Sequence, residues 1–207
     1  MLNTVRVKIC GIKSLEIARA AVDAGADALG FVFAKSRRQI SPSKAQKIIM
    51  ELPPFVSRVG VFVDTVPREV QEIVNYCGLD TIQLHGEAQP DFYRGIRCSI
   101  IKSFQVKGEA SVRAALNCSA DAYLFDTYKN GLAGGTGEVF DWDVLKIVNF
   151  QKPVILSGGL NADNVAQAIK TVKPYAVDVS SGVETNGVKD IEKIKAFITK
   201  AKGVLIK

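Results

Sequence analysis

Short runs dense in Val, Ile, Leu and Phe alternate with stretches whose apolar residues recur every three or four positions, from one end of the chain to the other. The runs fall at 5–10, 28–33, 58–63, 79–84, 100–104, 122–125, 153–156 and 176–179. They are nearly continuous in apolar residues, the mark of strands buried on both faces in a parallel sheet. Between them, 15–24, 43–52, 68–76, 110–116, 142–148, 162–172 and 191–201 carry the helical period, and 90–95 reads as a short or single-turn helix. Ser14, Ser43, Asp141, Asn161 and Asp190 stand where helix N-caps are needed.

Strand then helix, repeated eight times over 207 residues, leaves about 26 residues per unit, enough for a compact barrel of parallel strands ringed by helices. The pattern predicts an α/β protein with one domain, a (β/α)8 TIM barrel over residues 1–207. An open doubly wound sheet is the alternative. Against it, the chain after the first run reads Cys10-Gly11-Ile12-Lys13, without the G-x-G-x-x-G turn of a nucleotide fold.

Barrels of this type carry their chemistry where the strands end. Cys10, Asp64, His85, Asp126 and Ser157 close runs one, three, four, six and seven, and Asp178 with Ser180 closes run eight. Reactive side chains therefore crowd one rim. Gly-rich turns follow runs seven and eight, at Ser157-Gly158-Gly159-Leu160-Asn161 and Ser180-Ser181-Gly182-Val183. Backbone N–H groups exposed by such turns suit an anion, and two turns on adjacent strands predict a phosphate site. The expected ligand is a phosphorylated small molecule.

Of the proton movers, Cys10 serves as a base if its thiol ionises. Lys8, two residues earlier, points to the same side of the strand and is expected to favour the thiolate. A lone cysteine is otherwise a small buried hydrophobe. Asp126 ends the apolar run Tyr123-Leu124-Phe125, and apolar walls would raise its pKa toward that of a general acid; an N-cap or turn residue is the plainer alternative. His85 either contacts substrate or is a satisfied rim histidine. Asp178 contacts substrate or pairs with an interior cation such as Lys8 or Lys102. Arg38, in the loop after run two, has the fork that clamps a carboxylate, although an isolated loop arginine is more often a solvated charge.

Composition narrows the class. The four cysteines, Cys10, Cys77, Cys98 and Cys118, have no metal-ligand spacing, and there is one histidine, so neither a zinc nor an iron–sulfur site is expected. Cys77, Cys98 and Cys118 fall away from the rim. No run approaches the ~20 apolar residues of a membrane span, and Arg6 and Lys8 interrupt the first apolar stretch in a way foreign to a secretory signal. A cytoplasmic protein is expected. The net charge of +6 is spread along the chain rather than clustered with aromatics, which points away from nucleic acid and toward a solvated surface that also tolerates a small anion. A monomer and a homodimer are equally compatible with the sequence.

Several of these segments carry longer motifs. They are Val7-Lys8-Ile9-Cys10-Gly11-Ile12, Gly30-Phe31-Val32-Phe33 followed by Ser36-Arg37-Arg38 and Ile40-Ser41-Pro42, and Val59-Gly60-Val61-Phe62. In the second half they are Gln83-Leu84-His85-Gly86, Asp126-Thr127, Gly134-Gly135-Thr136-Gly137 with Phe140-Asp141-Trp142, Ser157-Gly158-Gly159-Leu160, and Val177 through Glu184. Together, in order and over the length of the chain, they bear a resemblance to the phosphoribosylanthranilate isomerase family.

It implies an Amadori rearrangement in tryptophan biosynthesis, from N-(5-phosphoribosyl)anthranilate to 1-(2-carboxyphenylamino)-1-deoxyribulose 5-phosphate, with neither metal nor organic cofactor. By this resemblance Asp126 is the general acid on the furanose oxygen and Cys10 the base at C2, their pKa values pushed in opposite directions. Arg38 meets the anthranilate carboxylate, Gly158, Gly159, Ser181 and Gly182 cradle the phosphate, and His85 and Asp178 fall on rim positions. The loop at 128–138, with four glycines, resembles a cover over bound substrate. Two other functions compete. A sister isomerase of histidine biosynthesis would resemble a pair of aspartates on strands one and six, and a phosphosugar-binding barrel would lack catalysis.

Overall fold

A computed structural model describes residues 3–127 and 141–206. The expected cover at 128–138 lies outside the described residues. Eight parallel strands close into a barrel in chain order: β1 (Arg6–Cys10), β2 (Ala28–Val32), β3 (Ser57–Val63), β4 (Thr81–His85), β5 (Ser99–Val106), β6 (Ala122–Thr127), β7 (Val154–Leu156) and β8 (Ala176–Val179). The eighth strand pairs with the first, Lys8 opposite Asp178, and closure removes the free edges that an open sheet would leave.

Two populations of apolar side chains explain the near-continuous runs. One set, including Val7, Ile9, Leu29, Phe31, Phe62 and Phe125, points outward into a core shared with the surrounding helices. The other, Val59, Ile101, Leu124, Ile155 and Ala176, forms a separate apolar floor inside the barrel. Above that floor the inward positions turn polar, with Lys8, Gln83, Ser103 and Asp178 all buried. The polar layer underlies the site.

Helices α1 (Leu15–Asp23), α2 (Pro42–Ile49), α3 (Pro67–Cys77), α4 (Glu109–Arg113), α5 (Val165–Val172) and α6 (Ile191–Lys202) follow six of the strands. Ser14 and Asp190 accept the backbone hydrogen bonds expected of N-caps. The cap of α2 is Ser41 rather than Ser43, because Pro42 takes the first helical position, where its missing N–H costs nothing. Asn161 caps a turn instead of a helix: its side chain accepts from Asp163 and Asn164 N–H, and α5 begins after Asn164. Residues 142–147 and 114–117 wind as 3-10 helices, as does Pro90–Tyr93. Among the described residues no helix is long and apolar enough to cross a membrane. A short strand at Asn3–Thr4 pairs antiparallel with Leu205–Ile206.

Candidate active site

The C-terminal strand ends surround a cavity of about 180 Å³. Cys10, Arg38, His85, Asp126, Gly158, Gly159, Asp178 and Ser181 all line it. Gly182 does not: it sits behind Ser181, where a Cβ would run into the Leu160 carbonyl. Asp64 is also outside. It lies beyond the end of β3 with φ +46°, accepts the Glu87 N–H at 2.7 Å, and lines a separate groove with Val66 and Phe92. Asp64 thus pins one rim loop to the next.

Cys10 is buried at the last residue of β1. Its neighbour across the sheet is Gly30, where an added Cβ would stand 2.9 Å from the Cys10 sulfur and 3.2 Å from Lys8 Nζ. The missing side chain makes the space in which thiol and ammonium coexist. Lys8 Nζ donates to Asp178 Oδ1 at 2.6 Å, and Ser157 Oγ donates to Asp178 Oδ2 at 3.1 Å. Both Asp178 oxygens are therefore engaged. Of the two cations considered for Asp178 the partner is Lys8; Lys102 projects from the other face of β5 and donates to the Gly86 carbonyl at 2.6 Å.

Burial pushes the Cys10 thiol above its ordinary value, and Lys8 and Lys189 pull it down without cancelling that effect. Burial also opposes the charge on Lys8, but Asp178 and Cys10 facing it raise its pKa overall. Asp126 is carried from 3.8 to about 6, first by burial and then by the negative charge of Asp178. Opposite shifts for the two groups are thus not what the site contains. Both rise, because desolvation disfavours a thiolate and a carboxylate alike, and Asp178 works against Lys8 at both groups.

His85 moves the other way, from 6.5 to about 4, driven by burial and by the positive charge of Lys8 and Lys102. A neutral ring follows. Gln83 Nε2 lies 2.7 Å from His85 Nε2, with Ser103 Oγ 3.2 Å from the same nitrogen. An amide N–H donating there leaves the ring proton on Nδ1. Gln83 Oε1 is buried with no partner among the described residues.

The turn after β7 needs glycine at 158, where φ is +89° and a Cβ would collide with the Thr127 backbone and Asp126. The main chain consequently passes close beside Asp126. Opposite this turn, Val32, Ala34, Val61 and Val63 form an apolar wall. Arg38 borders that wall, its stem lying over Gly11.

Sequence reasoning gave no role to the groups that hold Arg38. Its Nε and Nη2 donate to the two oxygens of Glu184 at 2.7 and 3.0 Å, and Lys189 Nζ donates to Glu184 Oε1 at 2.7 Å. The signal was present in Thr185-Asn186-Gly187-Val188, an Asn-Gly hairpin turn. It folds Glu184–Thr185 back on Val188–Lys189 with Glu184 directly opposite Lys189.

Residues 7–200 match the model of the family described as N-(5'-phosphoribosyl)anthranilate isomerase. The N-(5'-phosphoribosyl)anthranilate isomerase of Desulforudis audaxviator (strain MP104C) is 54% identical over 204 residues, covering 96% of this chain and 98% of that protein. A solved phosphoribosylanthranilate isomerase in complex with reduced 1-(o-carboxyphenylamino)-1-deoxyribulose 5-phosphate superposes with a TM-score of 0.86 at 47% identity, over 97% of this chain and 100% of that one. Monomers generated from the dimeric enzyme of Thermotoga maritima give 0.85 at 44%, with the same coverage. With the barrel, the rim and these relatives in agreement, the chain belongs to the phosphoribosylanthranilate isomerase family.

Proposed function

We propose that this protein isomerises N-(5-phosphoribosyl)anthranilate to 1-(o-carboxyphenylamino)-1-deoxyribulose 5-phosphate in tryptophan biosynthesis. The observation that carries the reading is that Cys10 and Asp126 line one cavity between the Gly158–Gly159 turn and Arg38. The phosphate is assigned to the backbone of the turns after β7 and β8, with Gly182 supporting Ser181 from behind. The aryl ring lies against Val32, Val61 and Val63, and its carboxylate meets Arg38.

Asp126, with a pKa of about 6, retains a proton in about a tenth of molecules at pH 7. It delivers that proton to the furanose oxygen as the C1–oxygen bond breaks and the nitrogen lone pair forms a C=N bond. The resulting iminium is positive and lies beside Cys10. That charge offsets the burial that holds the thiol protonated: the thiol proton passes to solvent, and the sulfur anion removes the proton from C2. The C2–H pair becomes the C1=C2 bond and the C=N π pair returns to nitrogen, giving a neutral enolamine that tautomerises to the ketone. No electrons enter or leave. His85, neutral, is assigned a hydrogen bond to a sugar hydroxyl, and Asp178 a supporting role through Lys8.

A histidine-pathway isomerase would resemble two aspartates on strands one and six, and here strand one ends in Cys10. A homodimer belongs to the same proposal: the Thermotoga relative is called dimeric, and the α2–β3 connection here leaves Met50 and Phe55 exposed at 77% and 96%. A cytoplasmic setting suits four free cysteines. The test offers purified protein the anthranilate substrate and, separately, the aminoimidazole substrate of the sister enzyme. Loss of fluorescence on the first with no turnover of the second is expected; turnover of the second alone, or of neither, overturns the assignment.

A further inference from the structure

Glu184 carries an unusual load for one carboxylate. Its side chain is 5% exposed and answers three cations. Oε1 accepts from Arg38 Nε and Lys189 Nζ, both at 2.7 Å. Oε2 accepts from Arg38 Nη2 and Arg37 Nη2, both at 3.0 Å. The two bonds to Arg38 are parallel and fix the plane of its guanidinium. Among the described residues, the remaining Arg38 Nη1 has no hydrogen-bond partner, and Arg38 lines the cavity.

The other end of the network reaches the base. Lys189 Nζ also donates to the Ser180 carbonyl at 2.9 Å and to its hydroxyl oxygen at 3.3 Å, while Ser180 Oγ donates to the Cys10 carbonyl at 3.1 Å. Glu184 and Lys189 share one hairpin, so a single element links Arg38 to the Cys10 backbone.

We infer that Glu184 is a positioning residue of the isomerase: by fixing Arg38 it sets the affinity for the substrate's aryl carboxylate. The inference rests on the proposed activity. A free arginine has rotamer entropy to lose on gripping a carboxylate, and Glu184 removes that loss before substrate arrives.

The experiment compares Glu184→Gln, Glu184→Asp, Arg38→Met and the double variant Arg38→Met/Glu184→Gln, with steady-state kinetics and inhibition by inorganic phosphate. Glu184→Gln keeps the side-chain shape and loses the charge; Glu184→Asp keeps the charge and loses the reach. Either is expected to raise KM by about tenfold or more, with kcat falling less than about threefold and phosphate inhibition unchanged. Either one that folds supplies the reading. In the double variant KM matches that of Arg38→Met alone, because the two act as one unit. Additive losses, a fall in kcat with KM unchanged, equal weakening of phosphate, or wild-type behaviour would each overturn the inference while leaving the isomerase reading intact. A wild-type protein without turnover removes both.

Discussion

Lys8 Nζ and Asp178 Oδ1 stand 2.6 Å apart inside the barrel, 3% and 6% exposed, on paired positions of the strands that close it. The pair lies just below Cys10 and carries charge of both signs to the thiol, the ammonium lowering and the carboxylate raising its pKa. Replacing Lys8 with Met removes the lowering influence and leaves Asp178 buried without its cation. The Cys10 thiol is then expected to titrate higher than in the wild type, and unfolding by denaturant to show a loss of about 3–5 kcal/mol. An unchanged thiol pKa would remove Lys8 from any role in activating the base.

The pH dependence of turnover follows from two groups that both titrate high. The proposed relay needs Asp126 protonated and Cys10 ionised, whereas the main free form at pH 7 has the carboxylate and the thiol. The productive form is a tautomer of that main form, so the two keep a constant ratio between the two pKa values. A bell-shaped profile of kcat/KM is expected, its acid limb near 6 from Asp126 and its alkaline limb above the ordinary thiol value of 9.0 from Cys10. The difference in absorbance at 240 nm between wild type and Cys10→Ser at pH 7 should show no thiolate. A strong thiolate signal there would mean that the field of the site outweighs burial.

Asp126 makes activity and stability pull apart. Its folded pKa, about 6 against 3.8, means the native state binds more protons than the unfolded chain in that window. Its contribution to stability therefore falls as pH rises from about 4 to 6, and above 6 the full cost of the buried carboxylate is present. Asp126→Asn should be more stable than wild type at pH 7 by up to ~3 kcal/mol, the linkage value of such a shift. The advantage disappears below about pH 4. Thermal melts across pH 3.5–8 would detect it, and equal stability at both ends would contradict a raised pKa.

Gly30 is the cheapest place to disturb the base without touching it. A methyl group there meets the Cys10 sulfur at 2.9 Å and Lys8 Nζ at 3.2 Å. Gly30→Ala is expected to destabilise the fold by about 1–3 kcal/mol through overpacking and to lower kcat by displacing the sulfur. Wild-type kinetics in this variant would show that the geometry around the thiol is loose.

The eight strands were legible because burial on both faces leaves an apolar run that no helix among the described residues imitates. Where polar residues point into the barrel the run breaks early: β5 continues through Gln105 to Val106, past the apolar stretch ending at Phe104, and β4 extends to His85. The helical period at 142–148 is real, yet those residues wind as a 3-10 helix, a distinction that periodicity over seven positions does not resolve. Cys10, His85 and Asp126 were found at the cavity because the barrel dictates where to look, whereas Arg38 reads alone as a solvated loop charge and was marked by the family resemblance. The Arg38–Glu184 pair was not, since its partners lie 146 residues apart and nothing local in either segment announces the other. The rise of the Asp126 pKa was legible from its apolar flank; the rise at Cys10 escaped, because it depends on how completely the thiol is enclosed.

The central claim is that a sulfur on β1 and a carboxyl on β6 share the work of one proton relay. Turnover of N-(5-phosphoribosyl)anthranilate by wild type, Cys10→Ser and Asp126→Asn, followed by the decay of its fluorescence, tests this most directly. Each single variant is predicted to lose about 10²–10⁴-fold in kcat while circular dichroism stays native. Full activity in both would contradict the account.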